Sequence, residues 1–89
     1  MPSAKFDELY KKTREIKSGP SNDELLSLYA YAKVAQGEDI EKAAKPGMLD
    51  LTGKAKRKRW QQEVDAGTSA ADAEKKYIEL AEDLVKTHG

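Results

Sequence analysis

The most distinctive chemistry in the chain is a cationic run, Lys54-Ala55-Lys56-Arg57-Lys58-Arg59, that ends at Trp60. The run places five cations in six residues. A helix turns about 100° per residue, so these side chains spread around its axis. They divide into two sides, one with Lys54, Arg57 and Lys58 and the other with Lys56, Arg59 and Trp60. A flat DNA-binding stripe would align more of them. Taken alone, the run indicates a solvated helix face or a nuclear-localisation-like stretch.

A second candidate element is the pair Tyr29 and Lys33. Residues four apart share one face of a helix, so the phenol and the ammonium group lie side by side. That pairing suits an anionic, aromatic ligand. An isolated pair of this kind is more commonly a half-buried tyrosine next to a surface lysine, and it identifies no ligand unaided.

The residue types of the chain give little support for an enzyme. The chain has no cysteine, which removes thiol nucleophiles, disulfides and thiolate metal sites together. Its single histidine, His88, lies next to the C-terminus, where fraying is expected. No Ser/His/Asp set can be built around it, and the many carboxylates are typical of solvated helix surfaces. We therefore predict a non-enzymatic protein with no metal and no cofactor.

Net charge and the lengths of apolar segments exclude further classes of function. Sixteen Lys+Arg balance 16 Asp+Glu, and a net charge of zero argues against a general nucleic-acid or membrane-surface binder. Any anion site must then be a local concentration of positive charge. Residues 1–12 alternate in charge and resemble no signal peptide, and no segment has the apolar length that spans a bilayer. We expect a cytoplasmic monomer without stable membrane insertion.

Hydrophobic spacing predicts four helices in one domain, residues 1–89. The first follows Phe6 to Ile16 and ends at Ser18-Gly19-Pro20. The second begins at a capping box, Ser21 with Glu24, and ends near Gly37. The third runs from Leu51 or Thr52 to Val64, and Thr68-Ser69 opens the fourth, whose apolar stripe is Ala73, Tyr77, Leu80, Ala81 and Leu84. The predicted class is all-α, a four-helix arrangement.

The connection between the second and third helices, from Gly37 to Asp50, is long for so small a chain and contains Lys45-Pro46-Gly47. Loops of this length are uncommon in small domains and are often functional.

Several blocks carry a family resemblance, and they are Tyr29-xxx-Lys33-x-Ala35, Lys45-Pro46-Gly47-Met48-Leu49-Asp50-Leu51-x-Gly53-Lys54-Ala55-Lys56, Trp60, and Gly67-Thr68-Ser69-xx-Asp72-Ala73-xxx-Tyr77-Ile78. Together they closely resemble the acyl-CoA-binding protein family, also called diazepam-binding inhibitor. The second block is highly specific, and the match spans nearly the whole chain from Phe6 onward.

The resemblance implies a four-helix acyl-CoA-binding-protein-like bundle with up-down-down-up topology and a bowl-shaped site for one long-chain acyl-CoA. It implies that Tyr29, Lys33 and Lys56 contact the 3′-phosphate and adenine-ribose end of CoA, with Lys54 beside them. Tyr77 would face the same region from the fourth helix. Arg14 stands at a basic position near the phosphates, and Leu25 and Leu26 stand where apolar residues line the acyl groove. Phe6, Ile16, Tyr77 and Ile78 would join the core between the first and last helices.

The chain departs from the family pattern at several positions. The aromatic residue that stacks near the adenine, three residues after Tyr29, is Ala32 here. Tyr31 is one residue earlier, turned about 100° away, and we do not expect it to substitute. The family has Gly-Asp after the second helix, where this chain has Glu38-Asp39. The family also has an aromatic residue directly after Lys56, where this chain has Arg57.

Two other functions fit parts of the sequence. A nucleic-acid-binding module would use Lys54 to Arg59 and would bind polyanions with a steep salt dependence. A protein-interaction domain of the same fold would bind acyl-CoA weakly or as a regulator, and the missing aromatic at Ala32 leaves that alternative open.

Overall fold

The computed structural model describes residues 3–16 and 19–88. Its elements are four helices: α1 (Ala4–Arg14), α2 (Asn22–Ala35), α3 (Leu51–Asp65) and α4 (Ala70–His88). Within these residues there is no strand, so the all-α, four-helix prediction is confirmed. Ser18, part of the predicted stop after the first helix, lies outside the described residues. No helix described here combines the length and apolar character needed to cross a membrane.

Short polar side chains begin each helix. The Ser21 Oγ accepts a hydrogen bond from the Glu24 amide at 3.1 Å, and the Glu24 carboxylate accepts one from the Ser21 amide at 2.9 Å. This reciprocal pair is the predicted capping box, and it satisfies two amides that have no partner within the helix. Asp50 caps α3 by accepting from the Gly53 amide at 2.9 Å, and Ser69 caps α4 by accepting from the Asp72 amide at 3.1 Å.

Helix α2 holds the fold together, because it packs against both α3 and α4, while α1 packs on α4. The larger core cluster lies among α1, α2 and α4, and its buried residues are Phe6, Leu9, Leu28, Ala32, Ala35, Ala73, Tyr77, Ala81 and Leu84. Four of the five residues predicted for the α4 stripe are therefore buried, and Leu80 packs partly buried at its edge.

Aromatic rings join α1 to α4. The Phe6 and Tyr77 ring centres lie 4.6 Å apart, and the Tyr10 ring centre lies 6.0 Å from that of Phe6. The Tyr77 hydroxyl and the Thr13 Oγ1 share a hydrogen bond of 3.0 Å. Ile16 and Ile78 pack partly buried against this cluster, as expected for the junction of the first and last helices.

A smaller core cluster of Ala30, Ile40 and Trp60 anchors the long connection between α2 and α3. The Arg57 guanidinium donates to the Ile40 carbonyl at 2.9 Å and to the Ala43 carbonyl at 3.3 Å. These bonds tie the start of the connection to α3, because one end of each is on the loop and the other on the helix. Arg57 thus has a structural role here.

The opposite side of α3 carries a polar network around Glu63, a buried carboxylate. Arg59 and the Thr68 hydroxyl both donate to it, and Arg59 also donates to the Tyr31 hydroxyl at 3.3 Å. Burial by itself raises the pKa of Glu63, but these hydrogen bonds outweigh it and hold the pKa below its ordinary value. The network links α2, α3 and the turn before α4.

Replacing Phe6 with alanine should destabilise the protein by about 3–5 kcal/mol, the cost of removing a buried aromatic ring. Phe6 is 1% exposed and contacts the Tyr77 ring, so removing its ring leaves a cavity inside the core. Urea unfolding followed by circular dichroism measures the change. Leu49→Ala is the matched control, because Leu49 is 95% exposed and should change stability by less than about 0.5 kcal/mol. Equal losses in the two variants would contradict the assigned core.

Candidate functional site

Tyr29 lies where three clefts adjoin. We call the first the apolar groove: it lies between α2 and α3, has a volume of about 540 Å³, and includes Leu25, Leu26, Leu51 and Lys56 in its lining. The second, the aromatic cleft, lies among α1, α2 and α4, with a volume of about 320 Å³. The third, the loop cleft of about 360 Å³, lies beneath the α2–α3 connection. Because Tyr29 lines all three, the clefts meet around a single ring.

Two ammonium groups from different helices flank that ring. The Lys33 Nζ, on α2, is 5.5 Å from the centre of the Tyr29 ring, and the Lys56 Nζ, on α3, is also 5.5 Å from it. Trp60 packs against the same ring in an edge-to-face arrangement, with 6.2 Å between the two ring centres and 81° between the ring planes. Each cation is within the range in which an aromatic face attracts it. The arrangement is a local concentration of positive charge beside a half-buried phenol, as the balanced net charge of the chain requires of any anion site.

Lys33 already has a carboxylate partner. Its Nζ donates to the Glu38 Oε2 at 2.9 Å, just beyond the C-terminal end of α2. Partial burial by itself lowers the pKa of Lys33, but the hydrogen bond and negative charge of Glu38 outweigh it and raise the pKa above its ordinary value. Lys33 is therefore fully protonated at neutral pH, and an anion that binds it must displace or share it with Glu38.

Arg14 and Tyr77 line the aromatic cleft together with Lys33. The Arg14 guanidinium lies 5.5 Å from the centre of the Tyr10 ring. Tyr77 is 2% exposed, and burial raises the pKa of its phenol although the Thr13 hydrogen bond acts in the opposite direction. Tyr77 is thus a neutral core residue that forms part of the floor of the cleft.

Leu25 and Leu26 line the apolar groove as expected for an acyl site. Leu25 is 49% exposed and Leu51, across the groove on α3, is 75% exposed. Apolar surface left open on both walls of a groove is typical of a site for an apolar ligand.

Lys54 is the one predicted site residue that the structure does not bring to these clefts. Its Nζ donates to the Met48 carbonyl at 2.7 Å, and its side chain lines a separate depression with Lys58 and Gln61. The other seven predicted residues, Arg14, Leu25, Leu26, Tyr29, Lys33, Lys56 and Tyr77, all line at least one of the three clefts.

The departure at Ala32 has a clear geometric result. Ala32 is 5% exposed and lines the aromatic cleft, where it presents only a methyl group. Tyr31 lies on another face of α2, where its ring centre is 5.4 Å from the Arg59 guanidinium and 5.9 Å from the Lys76 Nζ. The Tyr31 hydroxyl also accepts a hydrogen bond from Arg59, so its ring lies away from the cleft that Ala32 lines.

The sequence patterns do not identify four residues that shape this region: Tyr10, Glu38, Ile40 and Ala43. Tyr10 lines the aromatic cleft, and its spacing of four from Arg14 is a signal that could have placed the two on one face. Glu38 follows the end of α2, so no helical spacing connects it to Lys33. The two loop carbonyls that hold Arg57 likewise leave no pattern in the sequence.

Comparisons with known proteins identify the family of the chain. A family model described as "Acyl CoA binding protein" matches residues 3–81. The chain is 44% identical over 84 residues to an acyl-CoA-binding protein homolog of Manduca sexta, which covers 94% of this chain and 91% of that protein. It is 42% identical over 84 residues to acyl-CoA-binding protein homolog 1 of Caenorhabditis elegans, covering 94% of each chain. An acyl-CoA-binding protein homolog of Drosophila melanogaster is 41% identical over 85 residues, covering 96% of this chain and 95% of that protein.

The match and the fold define a small, four-helix binding-protein class. This chain belongs to the acyl-CoA-binding protein family.

Replacing Glu38 with glutamine should lower the pKa of Lys33. The charge that raises this pKa is then gone, while the burial that lowers it remains. An NMR titration of the Lys33 Cε and Hε resonances reports the change. Asp39→Asn is the matched control, because the Asp39 carboxylate accepts from the Glu41 amide and makes no contact with Lys33. An unchanged Lys33 titration in Glu38→Gln would show that the ion pair is absent in solution.

Proposed function

We propose that the protein binds long-chain fatty acyl-CoA esters and carries them without changing them chemically. The CoA nucleotide would lie around Tyr29, and the acyl chain would lie in the apolar groove. The three adjoining clefts together would form the bowl-shaped site of the family. Family membership and the geometry around Tyr29 support this proposal.

The nucleotide end supplies charge. CoA carries a 3′-phosphate and a diphosphate, and a phosphate beside the Tyr29 ring would be within reach of both Lys33 and Lys56. Hydrogen bonds between ammonium groups and phosphate are charge-assisted and stronger than neutral ones. Lysine acts here as a point charge that needs no bidentate fit. The Tyr29 hydroxyl would donate to the same phosphate, and Arg14 would approach the phosphates from α1.

The acyl chain supplies apolar burial. Each methylene moved from water into the groove contributes about 0.8 kcal/mol, so ten methylenes contribute roughly 8 kcal/mol before the cost of ordering the chain. Nanomolar binding requires about −12 kcal/mol. Neither end of the ligand would reach that value alone, which favours long chains attached to CoA over short acyl-CoA, free CoA or free fatty acid.

A carrier function follows from the same residues. The described lining of the groove where the thioester would lie contains no histidine, cysteine or carboxylate, the groups that most often act as nucleophile or general base. Sequestration would keep the amphipathic ligand out of micelles. We propose that the protein acts as a cytoplasmic monomer that buffers and delivers acyl-CoA.

The single observation that carries the proposal is the placement of the Lys33 and Lys56 ammonium groups, from α2 and α3, against one ring at the mouth of an apolar groove.

Titration calorimetry with palmitoyl-CoA, free CoA and palmitate should rank the three ligands in that order of affinity, with palmitoyl-CoA bound one to one. Only the first ligand uses both the cations and the groove. Palmitate bound as tightly as palmitoyl-CoA would contradict the role of the cations. Weak binding of all three would favour the protein-interaction function, in which Ala32 leaves the adenine without an aromatic partner.

Charge variants should change palmitoyl-CoA affinity in opposite directions. Lys56→Ala should weaken binding about tenfold or more, because a charge-assisted hydrogen bond contributes about 1.5–3 kcal/mol. Glu38→Gln should strengthen binding by up to about fivefold, since it removes a partly exposed carboxylate that competes for Lys33. Calorimetry measures both.

Lys54→Ala is the control for Lys56→Ala, because it removes the same charge from the same helix but outside the clefts. Equal losses from the two variants would mean that only overall charge matters, and would contradict the assigned phosphate site.

A further inference from the structure

Three large apolar side chains stand uncovered at the N-terminal end of α3. Met48 is 87% exposed, Leu49 is 95% exposed and Leu51 is 75% exposed. We call these three residues the apolar tip. Single exposed apolar residues are common, but three within four positions form a patch that is typical of an interaction site.

Hydrogen bonds hold the backbone of the tip in this position. The Lys54 Nζ donates to the Met48 carbonyl at 2.7 Å, and the Asp50 amide donates to the Gly47 carbonyl at 3.1 Å. Asp50 also caps α3 through the Gly53 amide. The tip therefore lies on a hydrogen-bonded turn that leads directly into α3, and its three side chains are exposed to solvent.

The surroundings of the tip are strongly cationic. Residues 42–58 contain one acidic residue, Asp50, and the cations Lys42, Lys45, Lys54, Lys56, Arg57 and Lys58. All five lysines of this set are exposed. The chain as a whole has a net charge of zero, so this positive charge is local to the tip and the first half of α3.

Apolar side chains surrounded by lysines match the chemistry of one kind of partner, an anionic lipid surface. The apolar residues can enter the boundary between headgroups and acyl chains while the lysines contact lipid phosphates. A nucleic acid would use the lysines but would leave Met48 and Leu49 in water. A second copy of the chain would bring two cationic surfaces together, which repel each other.

The tip is also continuous with the apolar groove. Leu51 belongs to both, since it lines the groove opposite Leu25 and Leu26. Met48 and Leu49 line none of the clefts around Tyr29. A surface held against the tip would thus face the mouth of the groove.

We propose that the apolar tip docks reversibly on anionic bilayers and that acyl chains pass between the bilayer and the groove beside Leu51. The passage of the ligand rests on the proposed function, whereas the docking itself does not. Two or three side chains make a shallow contact, and one lipid chain alone gives only marginal binding, so the docking is weak and short-lived.

The first experiment tests docking with ligand-free protein. Co-sedimentation is measured with vesicles of phosphatidylcholine alone and with vesicles containing about one third phosphatidylserine. The wild type should sediment with the anionic vesicles only. The double variant Met48→Ser, Leu49→Ser should sediment about tenfold less, because it keeps every lysine but loses the apolar contact.

The second experiment tests transfer. Stopped-flow fluorescence follows the extraction of palmitoyl-CoA from anionic vesicles. The double variant should extract more slowly while its affinity for palmitoyl-CoA in solution stays unchanged, since neither position lines the groove. Val64→Ser is the matched control: Val64 is 42% exposed, near the other end of α3, and should change neither quantity.

The outcomes separate the two proposals. Wild-type protein that ignores anionic vesicles, or a double variant that sediments and extracts like wild type, would overturn the docking proposal. A wild type that self-associates through the tip, detected by analytical ultracentrifugation and abolished in the double variant, would also overturn it. Failure to bind palmitoyl-CoA in solution would instead contradict the proposed function. The sedimentation experiment would still test docking, because it uses ligand-free protein.

Discussion

The Tyr29 ring, with an ammonium group from α2 and another from α3 beside it, is the contact on which the rest of the site depends. The electron-rich face of the phenol attracts each ammonium group. Trp60 packs against the ring and is itself buried with Ala30 and Ile40. The position of both cations therefore depends on how tightly α2 packs on α3.

Helix α2 is the element that connects the two core clusters of the molecule. It shares one core with α1 and α4 and another with α3 and the long connection. On its far side Tyr31 joins the Arg59 and Glu63 network and so contributes to the packing of α2 on α3. Arg57 closes the loop over α3 by bonding two carbonyls. Helices α2 and α3 thus carry both the candidate site residues and residues that pack the helices together.

Zero net charge describes this protein poorly, because its charges are separated in space. Cations gather at the start of α3, while Glu38 pairs with Lys33 and Glu63 pairs with Arg59. Each carboxylate that pairs with a lysine or arginine removes it from the pool available to a ligand. Lys56, beside Tyr29, and the lysines near the apolar tip form no ion pair with the residues that the structure describes.

The sequence by itself determined the class of the fold and three of the helix starts, and it named most of the residues that line the candidate site. Hydrophobic period, the Ser21 capping box and the Ser69 cap are local signals, and they predicted the helices closely. The specific block from Lys45 to Lys56 identified the family, and seven of the eight predicted site residues line the clefts around Tyr29. Tertiary structure alone decided that Lys54 bonds a loop carbonyl, that Glu38 pairs with Lys33, and that Met48 and Leu49 stay uncovered. Those outcomes depend on where a helix end meets a loop, and the distance between two side chains in different elements is set by packing, which no local residue pattern encodes.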